Sequence, residues 1–213
     1  KLLKNPPGYW DLPELPEIGS PLSQSGLIAK SQREFSEKFG AKGCFFGVNG
    51  ASGLIQSAVI AMANPGENIL MPRNVHISVI KICAMQNINP IFFDLESSTR
   101  TGHYKPITKI WLENVFKKLN FDENKIAGVI LVNPSYHGYA GDLEPLIDCC
   151  HQKNLPVLVD EAHGSYFLFC ENLNLPKPAL SSNADLVVNS LHKSLNGLTQ
   201  TAVLWYKGNL INE

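Results

Sequence analysis

The chain has 213 residues, 44% of them hydrophobic and 17% charged, a globular composition long enough for one sizeable core rather than a disordered tail. A formal net charge of -1 gives no electrostatic case for nucleic acid or an anionic membrane as partner. Five cysteines with no C-x-x-C and no paired spacing make neither a disulfide framework nor a zinc site, and point to reduced thiols in a cytoplasmic protein.

The opening stretch "KLLKNPPGYW" lacks the apolar run of a signal peptide, and the sequence starts without Met, as a piece of a longer protein would. Residues 1–25, rich in Pro and Gly, read as an irregular N-terminal arm. Residues 26–213 read as one domain. The spacing from Ile28 to Phe39 predicts an amphipathic helix ending at Gly40. "CFFGVNGASGLIQSAVIAMANPGE" then gives a short apolar run, a Gly-rich turn and a helix up to Pro65-Gly66.

Buried-type strands follow at 68–71, 90–93, 127–132, 156–159 and 185–188, and a last strand-like run lies at 201–206. Helical or loop segments separate them, for example at 76–86, 108–119 and 142–153. Continuous apolar strands alternating with helices predict an open, mostly parallel sheet covered on both faces. Such sheets take ligands beyond the carboxyl ends of their strands.

Polar clusters stand at those ends. In "VNGASG", Gly50 lets the backbone approach a ligand, and Ala51 and Ser52 open a helix whose free N–H groups suit a phosphate; the same residues also make an ordinary turn with Ser52 as cap. His76 in "PRNVHISVI" begins a helix, as a ligand group or as a cap. Asn133 and Ser135 in "VNPSYHG" face a ligand or shape a turn around Pro134. "LVDEAHGSYF" puts Asp160 at a strand end with His163 close behind. This is not the acidic box of a nucleotide hydrolase, because the sequence has no G-K-[ST] phosphate loop. Nor do His163 and His192 have zinc-ligand spacing.

"DLVVNSLHKSLNGLTQ" completes the set with Ser190, His192 and Lys193 just past a strand. A lysine in a loop is ordinarily solvated. One beside a buried strand, flanked by His, Ser and apolar residues, can instead condense with an aldehyde. Pyridoxal 5'-phosphate needs such a lysine, an acid for its ring nitrogen, a flat group on the ring, phosphate donors and a partner for the ring hydroxyl. Lys193, Asp160, His76, the Gly50-Ala51-Ser52 turn with Ser190 and His192, and Asn133 or Ser135 can fill those roles in that order.

With "GVNGASG", "PRNVHISV", "NPSYHG", "VDEAHGSYF" and "NSLHKSLNGLTQ" in place, the sequence resembles the Orn/Lys/Arg decarboxylases, pyridoxal-phosphate enzymes of the aspartate-aminotransferase fold. The lysine segment matches best, and the resemblance spans roughly residues 5–207. It implies a three-layer α/β/α domain with a mostly parallel seven-stranded sheet and an antiparallel last strand. It also implies pyridoxal phosphate held as a Schiff base to Lys193. Lys193, Asp160, His76 and His163 would be catalytic. Gly50, Ala51, Ser52, His76, Ser135, Asp160, His163, Ser190, His192 and Lys193 would surround the cofactor. The implied activity is decarboxylation of arginine, lysine or ornithine to an amine and CO2, by a homodimer or larger homo-oligomer acting in polyamine biosynthesis. Two departures bear on substrate choice: Ile77 follows the stacking histidine where lysine is common, and His137 stands where an acid is frequent. The family's C-terminal domain is not in this sequence. Alternatives are another enzyme of the same fold type, an aminotransferase or oxoamine synthase, or a cofactor-binding domain without turnover.

Overall fold

Seven short runs rich in branched and aromatic residues pair into one sheet. The computed structural model describes residues 9, 13–20, 25–119, 125–170 and 173–211. In chain order the elements are α1 (Gly26–Lys38), β1 (Gly43–Gly47), α2 (Gly50–Met62), β2 (Asn68–Pro72), α3 (Ile77–Met85), β3 (Asn89–Phe93) and α4 (Lys109–Lys118). Then come β4 (Ile126–Val132), α5 (Glu144–His151), β5 (Val157–Asp160), a 3-10 helix (Ser165–Phe169), β6 (Leu186–Ser190), α6 (Leu191–Ser194) and β7 (Ala202–Tyr206).

The strand order is β1-β7-β6-β5-β4-β2-β3. β3, β2, β4, β5 and β6 pair in parallel, while β7 runs antiparallel to both β6 and β1. The sheet is therefore mostly parallel, as the strand pattern predicts, with the reversed last strand that the resemblance implies.

Side-chain alternation divides the core into two layers. Along β5, Val157 and Val159 enter one cluster and Leu158 the other. β4 repeats the pattern with Val129 and Leu131 against Ile130. The first cluster is completed by α4, α5, Phe35 of α1 and Phe39 just past its end, the second by α2 and α3. Both faces of the central strands are thus dry, which is why they read as unbroken apolar runs.

α3 follows β2 on one face and α5 follows β4 on the other. β2 and β4 are neighbours, so the chain's winding reverses between them and opens a crevice at their carboxyl ends. Short caps place the helices that flank it. Thr108 accepts the Trp111 N–H to start α4, and the His76 ring accepts the Ser78 N–H to start α3.

α1 begins earlier than its apolar spacing indicates. The carbonyls of Glu17 and Ile18 accept the Leu27 and Ile28 amides at 3.0 and 3.1 Å, so backbone from the arm caps the first turn. The rest of the expected arm, residues 1–8, 10–12 and 21–24, lies outside the described residues. All five cysteines are free, and four of them are buried. Among the described residues no helix is long and apolar enough to cross a membrane.

Leu158 is fully buried at the centre of the sheet. Leu158→Ala should cost ~2–5 kcal/mol of unfolding free energy in urea titrations. A loss below about 1 kcal/mol would mean that this layer is not packed as described.

Candidate active site

The carboxyl edge of the sheet gathers side chains from five strand ends. Ala51, Ser52 and Ile55 come from the start of α2, and Asn74 and His76 from the turn after β2. Val132 and Tyr136 follow from β4, Asp160, Ala162 and His163 from β5, and Lys193 from α6 beyond β6. They line one crevice of about 480 Å³, its mouth included.

Lys193 Nζ lies 3.3 Å from His163 Nε2. Burial, then the charges of Lys193 and His76, hold the His163 pKa below the usual histidine value. A neutral imidazole there accepts a hydrogen bond from the lysine. Tyr136 meets the His163 ring edge-on, with centroids 5.4 Å apart, and is itself largely exposed at the rim.

Asp160 is buried, and burial pushes its pKa up. The Ala162 N–H, donating to Oδ1 at 3.1 Å, and the charges of Lys193 and His76 pull the other way. Its backbone carbonyl accepts the Asn133 N–H at 3.1 Å, tying the ends of β5 and β4 together. The result is an acid cut off from water, on the same crevice as an amine.

Gly50 adopts φ +67°, a left-handed conformation that glycine takes without strain. Its own N–H is not free, because it donates to the Gln200 carbonyl at 2.9 Å. The next amides of this helix start have no intrahelical partner, an arrangement that suits an anion. Ala51 and Ser52 carry them at the crevice wall.

The chain matches the family model described as "Orn/Lys/Arg decarboxylase, major domain" over residues 10–213. The chain belongs to the Orn/Lys/Arg decarboxylase family. A protein of Bacillus cereus named arginine decarboxylase is 37% identical over 187 residues, which is 88% of this chain and 39% of that protein. Lysine decarboxylase A from Pseudomonas aeruginosa superposes with a TM-score of 0.77 at 21% identity, covering 91% of this chain and 27% of that one. The constitutive lysine decarboxylase of E. coli gives 0.75 at 19% identity, with 91% and 28% covered. The chain thus spans well under half the length of these relatives.

Against that family background, six of the residues singled out from the sequence share the crevice: Ala51, Ser52, His76, Asp160, His163 and Lys193. Gly50, Ser135, Ser190 and His192 are not among its lining residues. The Ser135 hydroxyl instead accepts the Tyr139 N–H and closes a turn. Ser190 is fully buried and its hydroxyl contacts His192 Nδ1, which also lies 3.2 Å from the Thr201 carbonyl. His76 both caps a helix and lines the crevice, so its two sequence readings are compatible.

Sequence reasoning missed Asn74, Ile55, Val132, Tyr136 and Ala162 at this wall. Asn74 and Tyr136 sit inside the quoted turn motifs. Ile55 falls one helical turn beyond Ala51 and Ser52, a spacing that could have flagged it.

Just below the floor, Glu161 is completely buried. Burial, helped by the charge of Asp160, pushes its pKa from 4.5 up to about 8, against the hydrogen bonds from Asn189 and Ala179. Between those two values the unfolded chain releases a proton that the folded chain keeps. The stabilisation from this group is therefore full below the lower value and lost as pH rises through the upper one. Urea unfolding at about pH 5 and about pH 8 should show a drop in stability that is smaller in Glu161→Gln. An identical drop in both proteins would remove Glu161 as its source.

Proposed function

We propose that this chain, through residues 26–213, forms the pyridoxal-phosphate-binding domain of a decarboxylase acting on a basic amino acid. The observation that carries the reading is the convergence of a lysine amine and a buried carboxylate on one crevice at the sheet's carboxyl edge. Arginine is the first substrate to test, because the Bacillus cereus relative bears that name.

The crevice fits the cofactor chemically. Asp160 uses Oδ1 for the Ala162 N–H, which leaves its other oxygen for a cationic ring nitrogen. The α2 amides at Ala51 and Ser52 suit a phosphate. His76 offers a flat ring at the wall, and Lys193 offers the amine. When bound, pyridoxal phosphate supplies an electron sink for the pair left on Cα as carbon dioxide departs.

The protein's own groups do the rest. His163, whose pKa burial and then the charge of Lys193 hold low, accepts a hydrogen bond from Lys193 and so orients the amine at the crevice. Asp160, shielded from water, holds its negative charge against a positive partner more strongly than an exposed acid would. Lys193 or His76 can return a proton to Cα, since both line the same wall.

Purified protein mixed with pyridoxal phosphate should gain an absorbance band that borohydride converts into a stable adduct on the Lys193 peptide. Lys193→Ala should lose the adduct. Asp160→Asn should keep the fold but lower CO2 release from arginine by ~10²-fold or more in the complete enzyme. An adduct mapped to another lysine would sink the reading. CO2 release from none of arginine, lysine and ornithine would sink the substrate class.

A further inference from the structure

We propose that Glu161 is a positioning residue: its buried carboxyl locks the strand end carrying Asp160 to the strand that leads to Lys193, and so sets the spacing of acid and amine. The inference rests on the cofactor reading above and extends it to a residue outside the crevice.

The lock begins at Trp205 on β7. Its Nε1–H, a donor only, gives a hydrogen bond to Asn189 Oδ1 at 2.7 Å. That contact fixes which way the Asn189 amide faces. The NH2 group must then turn to Glu161, where it donates to the main-chain carbonyl at 3.2 Å and to Oε2 at 3.0 Å. The Ala179 N–H donates to Oε1 at 2.8 Å. The Glu161 N–H reaches the Val188 carbonyl at 3.0 Å.

Both side-chain partners of Glu161 are therefore fixed donors. A carboxyl group can accept at both oxygens in either protonation state, whereas a carboxamide accepts at one. Glu161, Asn189, Ala179 and Trp205 are all fully buried, so water cannot replace a lost bond. Glu161 is next to Asp160, and Asn189 is the next-to-last residue of β6, just before Ser190 and the short helix of Lys193. Neither Glu161 nor Asn189 lines the crevice, so any effect on a ligand there passes through Asp160 and Lys193.

The test compares the full chain with Glu161→Gln and with the exchanged pair Glu161→Gln/Asn189→Asp. The exchange moves the carboxyl across the contact. The new amide can donate to the new carboxyl, which still accepts from Trp205; protonated, as burial favours, that carboxyl also donates to the main-chain carbonyl of residue 161 in place of the lost amide, while Ala179 keeps an acceptor. Three quantities are measured: the Kd for pyridoxal phosphate, the pH midpoint of the bound absorbance band, and the melting temperature. The single variant should weaken binding about tenfold or more. It should also move the midpoint by about half a pH unit or more. The exchanged pair should recover both to within about threefold.

A single variant that melts lower but keeps both Kd and midpoint reduces Glu161 to a fold residue and overturns the proposal. So does an exchanged pair that folds without recovering them. If the single variant does not fold, the pair alone decides on the same terms. If neither folds, Trp205→Phe, which frees the amide to turn, must shift the midpoint in the expected way or the proposal falls. Failure of the unaltered chain to bind pyridoxal phosphate removes the cofactor reading itself and the lock's purpose with it. Normal binding in every variant removes the lock alone.

Discussion

A carboxylate withheld from water governs the crevice. Asp160 closes a strand whose residues are all buried, so its side chain cannot be solvated from either face of the sheet. An acid in that position keeps its charge only with positive groups at hand. The Lys193 ammonium is such a group, and burial together with the Lys193 charge lowers the proton affinity of His163. Burial thus sets the proton balance of the crevice: an acid that wants a cation, and an imidazole of low proton affinity beside an amine.

The architecture confines this chemistry to one edge. Helices cover both faces of the central strands, and the carboxyl ends remain the place where polar side chains can cluster. The reversal of winding between β2 and β4 spreads the loops apart there. The Gly50 amide, bonded to Gln200, ties the helix start that suits an anion to the loop following Lys193. The two ends of the crevice are therefore parts of one hydrogen-bonded frame.

Much of this was legible in the sequence because two-sided burial leaves a simple mark. β2, β4, β5 and β6 are continuous apolar runs, and their ends carry the residues of interest. β1 was fainter, since it sits at the sheet's edge and Phe45 is half exposed. The 3-10 helix and α6 are too short to impose a periodicity. Tyr136 and Asn74 could not be placed because a turn's side-chain directions depend on the strands beside it. Ser190 and His192, close to Lys193 in sequence, pack toward β7 instead, since successive residues leaving a strand diverge. Glu161 looked like one more acid in a motif. Only packing reveals that its carboxyl is spent on Asn189 and Ala179.

The distribution of sulfur has a practical consequence. Burial raises the pKa of Cys44 to about 12 and pushes Cys83, Cys149 and Cys150 the same way, which leaves their thiolates scarce at neutral pH. Cys170, at the end of the 3-10 helix, is the remaining thiol and is partly open to solvent. A maleimide dye would therefore attach at one known address and report on the segment leading away from His163, without any engineered handle.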